Sequence, residues 1–137
     1  GAEKLGAKIM IDIANPLDFS QGFPPFLTVA NTDSLGEQIQ RAYPALKVVK
    51  TLNTMTAELM VNPGQLANGD HHVFLCGDDV AAKEQVGSWL RQWFGWEHII
   101  DLGDITTARG TEMLLPIWVR LYGALGTPMF NFKIVRV

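Results

Sequence analysis

Four short apolar runs, each closed by a turn residue and each followed by a segment of helical periodicity or turn chemistry, constrain this chain more than any other feature. Residues 8–14 (KIMIDIA) end at Asn15-Pro16, 47–52 (KVVKTL) at Asn53, 72–76 (HVFLC) at Gly77, and 98–102 (HIIDL) at Gly103. Runs of this length, rich in β-branched residues and bounded by Asn, Pro or Gly, read as strands. After the first run comes a loop over 15–31, in which Phe19, Phe23 and Phe26 alternate with Gly22, Pro24 and Pro25. A loop this long with three aromatics is expected to pack on a neighbouring surface or to move over it. Ser34 and Glu37 have capping-box spacing and open a helix with an apolar stripe of Leu35, Ile39 and Ala42 or Tyr43, stopped by Pro44.

The later connections follow the same logic. Asn53-Thr54-Met55-Thr56 turns into a short helix ended by Asn62-Pro63-Gly64, and Asn68-Gly69-Asp70 is a turn. Asp78 or Asp79 caps a helix running to about Phe94, with Ala82, Val86, Trp89, Leu90 and Trp93 on one stripe and Gly95 as its end. Asp104, Thr106 or Thr107 caps a last, longest helix to about Leu125. Pro116 lies inside it and is expected to kink it. Gly126-Thr127-Pro128 closes that helix, and 131–137 follows as an extended tail. Strand, helix, strand, helix predicts an α/β fold with a mostly parallel sheet, helices on its faces and a long C-terminal helix. The 137 residues suit one domain without internal repeats.

Composition narrows the functional classes. The net charge is −3 and the basic residues form no run, which argues against nucleic acid. No apolar stretch is long enough to span a bilayer. The single cysteine, Cys76, allows no internal disulfide and fits a reducing, cytoplasmic setting. Its apolar surroundings mark it as a small core residue.

Ligands of open α/β sheets bind beyond the carboxyl ends of the strands. In a parallel sheet the turns Asn15-Pro16, Asn53-Thr54-Met55, Gly77-Asp78-Asp79 and Gly103-Asp104 share one edge. Asn53-Thr54-Met55 offers an amide, a hydroxyl, backbone N–H groups and a thioether, a set that can hold a neutral planar ring. The same residues also suit an ordinary strand-to-helix turn capped by Thr54 or Thr56. Asp78, Asp79 and Asp104 are read as helix caps, and the sequence supplies no further ligands nearby for a metal. His71 and His72, adjacent on a strand, point to opposite faces. They and His98 read as solvated or turn histidines. Arg109 and Glu112 are spaced as a surface pair. Trp96 reads as a packing anchor, and Met113, Trp118, Leu121 and Tyr122 as core or oligomer contacts. No catalytic side chain is assigned. Neither a G-x-G-x-x-G nor a Walker phosphate loop occurs.

The segments 8–18 (KIMIDIANPLD), 47–60 (KVVKTLNTMTAELM), 72–79 (HVFLCGDD), 100–112 (IDLGDITTARGTE) and 114–132 (LLPIWVRLYGALGTPMFNF), in this order and spacing, resemble the C-terminal part of the NADP oxidoreductase, coenzyme F420-dependent family. The resemblance implies a truncated, partial Rossmann-like fold over residues 1–137, without the front glycine-rich loop. It implies NADP and coenzyme F420 as cofactors, with hydride transfer between nicotinamide and deazaflavin, and with Asn15, Pro16, Asn53, Thr54, Met55, Gly126, Thr127 and Met129 near the rings. Without the pyrophosphate loop, tight binding and full activity are not expected of this chain alone. A second reading is a non-catalytic binding or assembly module, a homo-oligomer (first of all a dimer) joined through an exposed sheet edge and the long C-terminal helix. A third, a metal-dependent hydrolase on Asp78, Asp79 and Asp104, has the least behind it.

Overall fold

The computed structural model describes all residues, Gly1–Val137. After a 3-10 turn at Ala2–Lys4, the elements run β1 (Ile9–Asp12), β2 (Leu17–Asp18), β3 (Phe26–Leu27), α1 (Leu35–Ala42), β4 (Lys47–Thr51), α2 (Ala57–Val61), β5 (Val73–Cys76), α3 (Val80–Trp89), β6 (Ile99–Asp101), α4 (Ala108–Glu112) and α5 (Leu115–Leu125). The main sheet has four strands in the order β1-β4-β5-β6. β1 runs parallel to β4 and β5 parallel to β6. β4 and β5 are antiparallel, with Lys50 opposite Cys76 and Thr51 opposite Leu75.

The mostly parallel α/β sheet is therefore present, with one reversal at its centre. A parallel crossover usually returns the chain along the strand through a helix. The connection from β4 to β5 holds only the five-residue α2 and two 3-10 turns. A five-residue helix rises about 7.5 Å, against about 16 Å for the five residues of β4. The chain stays at the edge where β4 ends and enters β5 from there.

Both faces of the sheet are covered. Val49 of β4 and Val73 and Leu75 of β5 join Leu52, Met55, Leu59, Ala82, Val86, Leu90 and Trp96 in one apolar cluster. Val48 and Cys76, one residue along each strand, join Leu46, Ile105 and Ala108 in the other. This is the two-residue alternation of a strand read out in three dimensions.

Four local expectations are corrected. Of the predicted stripe of α1, Ile39 packs on the second cluster while Ala42 and Tyr43 are exposed; Gly36 and Glu37 are the fully buried residues, because the helix packs against the 105–112 segment through a close glycine contact and an ion pair. Pro116 does not kink a long helix. It sits in the first turn of α5, where its missing N–H costs nothing, and α4 ends separately at Glu112. Past Trp89 the helix widens into a π-helical segment, Leu90–Phe94, which turns Trp93 out to 60 % exposure. Phe19, Phe23 and Phe26 do not pack inward; all three are exposed, around the two-stranded β2–β3 ribbon.

Candidate functional site

Because of the central reversal, the four strand-end turns divide two and two. The carboxyl ends of β1 and β4 meet at one edge, and those of β5 and β6 lie at the other. A single shared edge, as expected from a fully parallel sheet, does not form.

At the first edge Asn15 and Asn53 clasp each other. Asn15 Nδ2 donates to the Asn53 carbonyl at 2.9 Å, and Asn53 Nδ2 donates to Asn15 Oδ1 at 3.0 Å. Asn53, Thr54 and Met55 are all buried, Met55 within the apolar cluster. Pro16 is buried next to the clasp in sequence, and its carbonyl accepts from Thr28 N at 2.8 Å. Thr54 is 2 % exposed, and its Oγ1 has no hydrogen-bond partner. Thr56 is the N-cap of α2 but makes no side-chain cap bond. Neither threonine caps the helix, so the ordinary-turn reading does not account for the Thr54 hydroxyl. A buried hydroxyl without a partner costs about 1–3 kcal/mol.

The tail comes to the same edge. His72, just ahead of β5, donates its N–H to the Phe132 carbonyl at 3.0 Å, and Asn131 Nδ2 donates to the His72 carbonyl at 3.0 Å. Met129 packs on the apolar cluster that contains Met55. Gly126 and Thr127 are taken up in ending α5: Gly126 has φ 70° and donates to the Tyr122 carbonyl, and Thr127 Oγ1 accepts from Met129 N.

Behind the clasp lies a charged cluster that sequence reasoning missed. The Lys50 ammonium is fully buried, 2.9 Å from Asp12 Oδ2 and 2.9 Å from Glu112 Oε2. It also donates to the Ala14 carbonyl at 2.5 Å. Glu112 in turn accepts the N–H groups of Leu35 and Gly36 at 2.8 and 3.1 Å, at the N-terminus of α1. The helix dipole there offsets the second carboxylate. The signal was in the sequence: Asp12 and Lys50 each interrupt an apolar strand, and a buried charge demands a partner. Arg109 and Glu112 do not pair with each other. Arg109 holds Glu37 through two bonds of 2.9 and 2.7 Å, and the guanidinium keeps that carboxyl below the usual glutamate range.

The opposite edge is carboxylate-rich and its carboxylates are engaged. Asp79 Oδ1 accepts from Ala82 N at 2.7 Å, Asp104 Oδ1 from Thr106 N at 2.9 Å, and Asp78 Oδ1 from Ile105 N at 3.0 Å. Asp79 caps α3 as expected, Asp104 caps the 3-10 turn Ile105–Thr107 and not a long last helix, and Asp78 reaches across to Ile105 N in place of capping α3. A concavity of about 780 Å³ opens there, lined by Glu37, Arg41, Lys47, Asp78 and Asp79 among others. No three His, Cys, Asp or Glu side chains gather to hold a metal ion. Cys76 is buried, and burial pushes its thiol up to about 11. His71 is not a solvated histidine: it is buried against Trp96, with Nε2 2.9 Å from the Pro63 carbonyl and Nδ1 2.7 Å from Asn131 Nδ2. Trp96 is an anchor, its Nε1 donating to the Met60 carbonyl at 2.9 Å. Met113, in the turn after α4, and Tyr122, on α5, are exposed.

A solved structure from Arthrobacter sp. FB24, a protein that carries the name F420-dependent NADP-reductase, matches 99% of this chain with 66% identity and a TM-score of 0.96. The chain is similar to that protein over 61% of its length. It is also 30% identical over 122 residues to the metalloreductase STEAP3 of Rattus norvegicus, covering 85% of this chain and 22% of that protein. The hypothetical protein SMa0349 of Sinorhizobium meliloti shares the fold over 75% of the chain, with 27% identity and a TM-score of 0.55. No family model matches the chain. No helix of the chain is long and apolar enough to cross a membrane.

Proposed function

We propose that the Asn15–Asn53 edge receives the nicotinamide end of NADP and orients it for hydride transfer with a deazaflavin of the coenzyme F420 kind. The single observation that carries this reading is the Thr54 hydroxyl, buried and unpartnered in a turn where helix capping would have used it. A neutral carboxamide would supply the missing partner. The Asn15 and Asn53 amides and the Met55 thioether are neutral, as a site for a neutral ring should be. Hydride transfer needs two rings held in register and excluded from water more than it needs an acid or base. The nicotinamide, when bound, supplies the hydride chemistry. This chain's residues bind and orient it. Two of the three named relatives, a reductase and a metalloreductase, support a redox role.

The residues fit the ring end of the cofactor and not its phosphates. The only buried lysine at this edge is committed to Asp12, Glu112 and Ala14. Weak binding by the chain itself is therefore expected. Titration with NADPH, followed by tryptophan fluorescence, is expected to give saturable quenching in the millimolar range that Asn53→Leu abolishes. Absence of quenching in the parent chain, or equal quenching in Asn53→Leu, overturns the reading.

One observation favours a second reading, self-association through the sheet edge. β1 is an outer strand with Ile11 and Ile13 exposed, and α5 presents Ile117, Tyr122 and Leu125 to solvent. Light scattering that shows a dimer dispersed by Ile13→Lys supports it; a monomer at all concentrations removes it.

A further inference from the structure

The Ala14 peptide is held from both sides. Its N–H donates to Asp12 Oδ1 at 3.0 Å, and its carbonyl accepts from Lys50 Nζ at 2.5 Å. The next side chain along is Asn15, one half of the clasp. Lys50 Nζ donates to Asp12 Oδ2 and to the Ala14 carbonyl, and it pairs as an ion with Glu112 at 2.9 Å. The fixing point is itself fixed, because Glu112 is tied to the first N–H groups of α1. Ala14 and Asn15 lie beyond the last paired residue of β1, so no strand hydrogen bond holds them. Without Lys50 the Ala14 carbonyl, just ahead of Asn15, loses its donor.

We propose that Lys50 is a positioning residue: its buried ammonium sets the Ala14 peptide and thereby holds Asn15 in register with Asn53. Its bearing on cofactor affinity rests on the ring-binding reading above; its effect on the clasp does not. A core lysine that served stability alone would loosen the whole sheet when lost. A positioning lysine loosens the Asn15–Asn53 pair beyond the rest.

The test is hydrogen exchange of the Asn15 and Asn53 side-chain amides in the full chain, followed by NMR with the backbone amides of β5 as the internal reference. In Lys50→Met, the Asn15 and Asn53 side-chain protons are expected to exchange about tenfold or more faster relative to β5. Because Lys50→Met leaves two buried carboxylates without a cation, the same measurement is made on Asp12→Asn/Lys50→Met/Glu112→Gln, which has no buried charge at this point. Parent-like protection of the clasp in either folded variant overturns the proposal, as does equal acceleration of clasp and β5. In the parent chain, a scalar coupling from the Lys50 ammonium to the Ala14 carbonyl carbon is expected, and its absence overturns the proposal whatever the variants do. NADPH titration of the parent keeps the two ideas apart. Faster clasp exchange in the variants with no NADPH binding by the parent fails the ring-binding reading and leaves Lys50 in its role. Binding by the parent with an unchanged clasp in the variants does the reverse.

Discussion

The two edges of the sheet are built from opposite materials. At the edge where β5 and β6 end, the polar groups are carboxylates, and Asp78, Asp79 and Asp104 each accept a backbone N–H. At the edge where β1 and β4 end, the polar groups are amides and a hydroxyl. They pair with each other across the strands, cap nothing, and leave Thr54 Oγ1 unmatched. The lesson is that a polar cluster is a candidate site in proportion to what its hydrogen bonds leave over. The acidic edge attracts attention by charge and by its concavity, yet its carboxylates are already used. The amide edge looks bland in the sequence and retains an unsatisfied group.

Several substitutions sharpen or break this contrast. The largest effect is expected for Lys50→Met, about 3–5 kcal/mol of lost stability in urea unfolding, since it strands Asp12 and Glu112 in the interior. A loss well under that range would mean that water reaches the cluster. Asn53→Ala removes one half of the clasp and is expected to lower stability by about 1–2 kcal/mol, together with NADPH-dependent quenching. Asp79→Ala at the opposite edge should cost about 1 kcal/mol, the value of an N-cap, and leave quenching unchanged. If Asp79→Ala weakens NADPH and Asn53→Ala does not, the assignment of the edges is reversed.

Acid sensitivity provides a further check, at the concavity of the acidic edge. Glu37 is held below the ordinary glutamate value by the Arg109 guanidinium. Its contribution is therefore present above the unfolded-state value and is lost as pH falls through the folded-state value. In Glu37→Gln the decline of stability below about pH 4.3 should be shallower than in the parent, measured by chemical denaturation across pH. A parallel decline would place the acid sensitivity elsewhere. The smallest effect is expected for Thr54→Val. Replacing an unpartnered buried hydroxyl by a methyl should change stability by less than about 1 kcal/mol, with any change toward greater stability. NADPH quenching should still weaken. A marked destabilisation would show that the hydroxyl already has a partner in solution.

Much of this molecule was legible locally. The four principal strands, the Ser34 and Asp79 caps, the Gly95 and Gly126 helix ends and the buried Cys76 follow from patterns a few residues long. The amide-bearing turn after β4 was also picked out, because strand ends in α/β sheets are where ligands bind. The buried face of α1 was misread in part, because it is set by what packs on it. Gly36 lies against Ala108 and Ile105, and Glu37 faces Arg109, far along the chain. The Lys50 cluster was missed for the same reason. Its members come from β1, β4 and the end of α4, and no window of sequence contains them together.

The sequence by itself determined which segments are strands, where each one stops and which side chains stand at the stops, because backbone sterics, capping and turn chemistry act over a few residues. Only the tertiary structure decided which stops face one another. That outcome turned on the connection 52–72, which holds one small helix and two 3-10 turns and brings the chain into β5 from the edge where β4 ends. β5 therefore runs against β4, the acidic turns move to the far edge, and Asn15 is left facing Asn53 with a buried lysine behind them.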